Sequence, residues 1–183
     1  MIELNRNHLV DCISDRLAST EQPRQRIMLE RMRVHAAAER DGDLDTLVGT
    51  LGAATNYHFW GLSGDIGPKT REGVTDYYRN LVESNGHVLE FYCERMVVDD
   101  QCIVIEGRLT MIQPGALLAQ HPLAGGMAEA GKNYLVRMRN VIFWSFDEDL
   151  MIIGEDSYTG GPVEIRALED HELPADFAAL LTS

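Results

Sequence analysis

The residues best placed to do chemistry lie near the C-terminal end, in Ile153-Gly154-Glu155-Asp156-Ser157-Tyr158. Read as a strand continuing from Leu150, this run puts Gly154, Asp156 and Tyr158 on one face. If that face looks inward, Asp156 is a carboxylate on an apolar wall. Desolvation then raises its pKa, which suits a general base working near neutral pH. A second group comes from Tyr57-His58-Phe59-Trp60, where His58 could shuttle a proton or orient a ligand and Trp60 could pack on it. Tyr158 and Asn140 are candidate hydrogen-bond donors to an enolate oxygen, and Tyr77 is a candidate packing surface. Each has a plainer reading. Asp156 could be a buried acid satisfied by Tyr77, Tyr158 or backbone amides, His58 a core histidine, Trp60 a core or rim residue, and Asn140 a satisfied buried amide.

The elements that must hold these groups follow from periodicity. Residues 6–18 carry Leu9, Ile13 and Leu17 at helical spacing,. A second helix spans about 24–40 after Pro23, with Thr20 or Glu21 as its cap. In it Ile27, Arg31, Val34 and Ala38 share one row, with Met28, Met32 and His35 beside it. Asp43 caps a short helix over 44–51. An aromatic strand covers 57–60, and Thr70 caps a helix over 71–83. Strands over 87–98, 102–112, 133–146 and 150–158 follow as a meander, interrupted by residues 114–132. Helices first and antiparallel strands after indicate α+β, with the helices on one sheet face. Three parts are expected: a helical arm over 1–20, the α+β domain over 21–162, and an acidic tail over 163–183 that opens a last short helix near Leu173.

Alternation assigns the sheet's faces. Ile103, Ile105, Gly107, Leu109 and Met111 form an inner row, as do Tyr134, Val136, Met138, Asn140, Ile142 and Trp144. In the strand from His87, Leu89, Phe91, Cys93, Arg95 and Val97 share a face. Glu90, Glu94, Glu106, Arg108, Arg137 and Arg139 fit an outer ladder of ion pairs, with an anion clamp by Arg137 or Arg139 as the other possibility.

The net charge of −13 argues against nucleic acid, whose phosphates need a surplus of Lys and Arg,, and against an anionic membrane surface. No run is long enough to span a bilayer and no leader is visible, so a cytoplasmic location is expected. Cys12, Cys93 and Cys102 form no CxxC motif. Six histidines show no ligand spacing, so no metal is expected,.

Three motifs carry a family likeness: Tyr57-His58-Phe59-Trp60-Gly61, Gly67-Pro68-Lys69-Thr70-Arg71-Glu72-Gly73-Val74, and Ile153-Gly154-Glu155-Asp156-Ser157-Tyr158. With the element order, the chain over about 21–161 resembles the nuclear transport factor 2-like superfamily, nearest its SnoaL-like polyketide cyclases. The resemblance implies a cone-shaped, mostly antiparallel curved sheet packed on N-terminal helices, a deep pocket, frequent homodimers and no obligatory cofactor. It implies a cyclase- or isomerase-like reaction on a hydrophobic small molecule, with Asp156 at about the position of the last-strand acid. The alternatives are a non-catalytic binding module for an apolar ligand or protein partner, or water activation as in an epoxide hydrolase. Against the last, the Arg-x-Asp element is missing, and Glu106-Gly107-Arg108 near its place has the charges reversed. Residues 114–132 would form a lid or a dimer contact.

Overall fold

A computed structural model of the chain describes residues 1–61, 64–119, 128–175 and 177. Its first helix, α1, is His8–Ala18. The second, α2, is Pro23–Asp41. Its cap is Gln22, not Thr20 or Glu21: the Gln22 side chain accepts from the Gln25 N–H at 2.9 Å. Pro23 at the first helical position gives up no hydrogen bond there, and Gly42 ends the helix at φ 71°, a conformation that favours glycine,. Helix α3 (Leu44–Gly49) is capped by Asp43 and α4 (Arg71–Glu83) by Thr70.

Strands β1 (Leu51–Gly61), β2 (Gly64–Asp65), β3 (Leu89–Val98), β4 (Cys102–Pro114), β5 (Asn133–Phe146) and β6 (Ile152–Leu168) form one sheet in the order β2-β1-β6-β5-β4-β3. The β3–β6 meander is antiparallel, whereas β1 runs parallel to β6. A short α5 (Gly115–Leu118) follows β4. Of the expected lid or contact over 114–132, residues 120–127 lie outside the described residues.

Helices α1, α2 and α4 cover one sheet face. The main core joins Ile13 of α1, Met28 and Met32 of α2, and Tyr78 of α4 to Tyr57, Ile105, Ile142 and Trp144 of the sheet. Trimming one such side chain, as in Met32→Ala, costs about 2–5 kcal/mol. The first 20 residues are thus built into the core through α1. The segment from 163 does not leave as a tail either. It extends β6 to Leu168 against the start of β5. Leu168, Leu173 and Phe177 then bury with Val88, Ile112 and Leu135, against Ile2 and Leu4. The helix expected to open near Leu173 lies largely outside the described residues.

Candidate active site

Residues paired across neighbouring strands project to the same side of a sheet. Tyr57, Glu155, Trp144 and Ile103 lie in one cross-strand row. Tyr57, Trp144 and Ile103 are buried in the core, so Glu155 projects toward the helices. The adjacent row is His58, Asp156, Phe143 and Val104. It projects the other way, and Phe143 in it is exposed.

The expected inward view of Asp156 is therefore not realised, and the cause is local. β5 pairs Phe146 with Ile152, then Ser145 with Gly154, which leaves Ile153 as an extra residue on β6. Such a bulge reverses the phase of everything beyond it. Ile152 is inside as even-numbered periodicity requires, but past Ile153 the odd positions, Glu155 and Ser157, take over. A second bulge does the same in β3. Cys93 pairs with Gly107 and Arg95 with Glu106, so Glu94 is supernumerary. Arg95 and Val97 therefore leave the Cys93 face for the outer one, where Val97 is exposed.

Asp156, His58, Trp60 and Tyr158 consequently share the outer face. His58 Nδ1 lies 2.6 Å from Asp65 Oδ2. The Lys69 ammonium also contacts Asp65, and the Phe59 and Gly67 N–H groups donate to Asp65 Oδ1 at 3.0 Å each. Four donors hold the Asp65 carboxyl well below the usual carboxylate range, the Lys69 contact being the largest cause,. The His58 and Trp60 rings lie parallel with centroids 5.9 Å apart, and Trp60 stacks on Tyr158 at 6.3 Å. Beside them runs the outer ladder: Arg139 bonds Glu106 and Glu94, and Arg108 bonds Glu94. Arg137 pairs loosely with Glu164 on the same side.

Asn140 and Tyr77 are inside, as expected. The Asn140 carboxamide oxygen accepts from the Ser157 hydroxyl at 3.1 Å. Tyr77 packs between Tyr78 and Phe59.

A second acid joins Glu155 from α2. Glu39 follows Met28, Met32 and His35 at steps of four, three and four, the stripe of one helix face,. Glu39 and Glu155 each keep some accessible surface although protein surrounds them. Burial pushes Glu39 up to about 7. Glu155 is pushed up to about 8, first by burial and then by the charge of Glu39,. The Trp144 indole N–H, buried on the same face, approaches closely enough to ease ionisation of Glu155 without forming a hydrogen bond of good geometry.

Next to the acids runs a buried hydrogen-bond chain whose direction can be derived. The Thr50 hydroxyl donates its only proton to Leu47 O at 2.6 Å. At its 2.7 Å contact with His35 Nδ1 it must therefore accept, which puts the imidazole proton on Nδ1,. His35 Nε2 then accepts from Tyr78 OH at 3.0 Å, and Tyr78 accepts from Tyr57 OH at 2.9 Å. Burial lowers His35 to about 4, consistent with this neutral ring. The phenols of Tyr57, Tyr77 and Tyr78 are pushed up by burial and by the nearby acids, so they stay protonated.

Glu39, Glu155 and this chain escaped the sequence reading. The Met28–Met32–His35–Glu39 spacing carried a signal for the first. For Glu155 the signal was the phase of β6, which needs the bulge. Among the described residues no group of three or more His, Cys, Asp or Glu side chains is arranged to hold a metal. An open depression of about 540 Å³ lies elsewhere, between α1 and α2, lined by Leu17, Ile27, Arg31 and Val34 among others.

No protein-family model matches the chain, and no curated protein matches it by sequence. Solved structures do. A protein from Shewanella putrefaciens assigned to the SnoaL-like polyketide cyclases superposes with a TM-score of 0.59 at 16% identity, covering 80% of this chain and 86% of its own. A Jannaschia protein of the same assignment gives 0.56 at 19%, covering 77% and 90%. The fold is that of the SnoaL-like, nuclear transport factor 2-like proteins. An epoxide hydrolase of the LEH-like type from Mycobacterium tuberculosis shares it, at a TM-score of 0.54 and 14% identity over 75% of this chain and 86% of its own. At such identities the likeness is one of fold, and proteins named for different reactions display it. No described helix is long and apolar enough to cross a membrane.

Proposed function

We propose that the protein is a cofactor-independent acid–base enzyme that moves a proton at carbon beside a carbonyl of a hydrophobic small molecule. The observation that supports this best is the inner-face pair of carboxyls, Glu39 and Glu155, which burial holds above the usual carboxylate range, at about 7 and about 8. Near neutral pH this gives one carboxylate and one carboxylic acid, the arrangement acid–base catalysis needs. Glu39 takes the proton from carbon. Glu155 hydrogen-bonds the carbonyl oxygen and protonates it as the enol forms. The proton held by Glu39 then returns to a different carbon while Glu155 takes back the enol proton, which restores the carbonyl and both acids. The unpartnered Trp144 N–H is a further donor to the developing oxyanion,. Tyr77 and Phe59 offer apolar surface to the ligand.

The same pair supports a second reading. Glu39 could activate a water while Glu155 protonates the oxygen of an epoxide or enol ether. The LEH-like epoxide hydrolase among the structural neighbours makes this worth separating.

A homodimer fits the outer face. Trp60, Phe143 and Tyr158 are exposed there beside a ladder of both charge signs, a surface that can complement a second copy. Sedimentation of the wild type against Trp60→Ala reads this out.

The deciding experiment incubates the protein in D₂O with a panel of hydrophobic ketones and follows deuterium entry beside the carbonyl by NMR. The expected result is exchange that Glu155→Gln and Glu39→Gln abolish and Asp156→Asn retains. Loss in Asp156→Asn with retention in Glu155→Gln would overturn the assignment. Diol formation from epoxides without ketone exchange selects the hydrolytic reading. Ligand binding without either reaction selects a binding module.

A further inference from the structure

The sulfur of Cys12, in α1, lies 2.8 Å from the sulfur of Cys93, on the inner side of β3. The residues are 81 positions apart, so only the folded chain brings them together. Both thiols are free and partly exposed, within reach of a small oxidant.

We infer that Cys12 and Cys93 form a redox modification site, which a peroxide converts to a disulfide that fastens α1 to the edge strand of the sheet. A disulfide bond is about 2.05 Å long, so a movement of under about 1 Å closes it. The helix is already docked along this part of the strand. His8, one turn before Cys12, accepts from the Cys93 N–H at 3.3 Å, and its ring lies 4.2 Å from that of Tyr92. The bulge at Glu94 interrupts regular pairing just past Cys93. The opposite position on β4 is Gly107, which brings no side chain to shield the sulfur.

The two thiols are unequal. The hydrogen bond between them favours the thiolate at Cys12 and keeps the proton on Cys93. Cys12 is then the nucleophile. Its thiolate attacks one oxygen of hydrogen peroxide and breaks the O–O bond, giving a sulfenic acid and hydroxide. The Cys93 sulfur attacks the sulfenic sulfur, forming the S–S bond and expelling the oxygen, which leaves as water with the Cys93 proton. Overall two thiols and one peroxide give one disulfide and two waters, and two electrons pass from sulfur to peroxide. Cys102 is the internal control. Burial, with Asp99 and Asp156 nearby, pushes its thiol up to about 11.

The test treats the full-length reduced protein with hydrogen peroxide, alkylates the remaining thiols with iodoacetamide, and maps the peptides by mass spectrometry. The expected result is joint loss of alkylation at Cys12 and Cys93, one peptide linking them that dithiothreitol releases, and a Tm several degrees above that of the reduced protein. Cys93→Ser should stop at a Cys12 sulfenic acid that dimedone traps, and Cys12→Ser should give no link. If neither variant folds, the wild-type map decides alone. Cys12 and Cys93 still alkylatable after Cys102 has oxidised, or a link through Cys102, would overturn the inference.

Discussion

Each face of the sheet carries a carboxylate cluster, and the two clusters are opposites. On the outer face, Asp65 gathers Lys69, His58 and two backbone amides. Its charge is answered, and its pKa falls. On the inner face, Glu155 is enclosed by protein, with Glu39 as a charged neighbour and only a poorly aligned indole N–H. Its charge is opposed, and its pKa rises. Abundance of polar groups therefore marks the wrong cluster for proton chemistry. The outer group is locked in one protonation state, whereas the inner pair can exchange a proton near neutral pH.

The strongest way to break this contrast is by pH. Glu155 and Glu39 hold protons in the folded state that the unfolded chain releases near pH 4.5, so folding stability should fall as pH rises from about 4.5 to 8,. For Glu155 the loss is at most about 4 kcal/mol. Urea unfolding across that range should show the decline, and Glu155→Gln should flatten roughly half of it, the remainder belonging to Glu39,. An unchanged slope in that variant would mean that the inner carboxyl is well solvated. His35 acts with the opposite sign. Its lowered pKa contributes stability above about 6.5 that is lost as pH falls toward 4,.

Tyr78→Phe probes the buried chain beside the acids. It leaves His35 Nε2 without its donor and should cost about 1–3 kcal/mol by denaturant midpoint. His35→Gln in the same measurement separates loss of the ring from loss of the hydrogen bond. On the outer face the changes are smaller. Asp65→Asn removes the charge that gathers its donors and should loosen the β1–β2 hairpin, seen as faster amide exchange at Phe59 and Gly67. Arg139→Ala removes contacts to Glu94 and Glu106 that are open to water. It should leave the denaturant midpoint almost unchanged, and more nearly so in high salt. A clear fall in the midpoint would mean that a partner covers this face.

Much of the architecture was legible in the chain because local rules were obeyed. The Thr70 and Asp43 caps, the helical spacing of Leu9, Ile13 and Leu17, and the alternation in β4 and β5 each act over a few residues. They gave the α+β order and the outer ladder of Glu94, Glu106, Arg108 and Arg139. The Asn140 face followed from the same alternation, and the β5–β6 pairing keeps it.

What the amino-acid order determined by itself is the set of elements and which side of most of them is apolar, since both depend on short-range periodicity. Tertiary structure alone decided which acid enters the interior. A single extra residue, Ile153, turns Glu155 inward and Asp156 outward, and it is tolerated because β1 and β5 shift their register around it. Packing of α2 then brings Glu39 to Glu155 from 116 positions away in the chain, a distance over which no local pattern carries information.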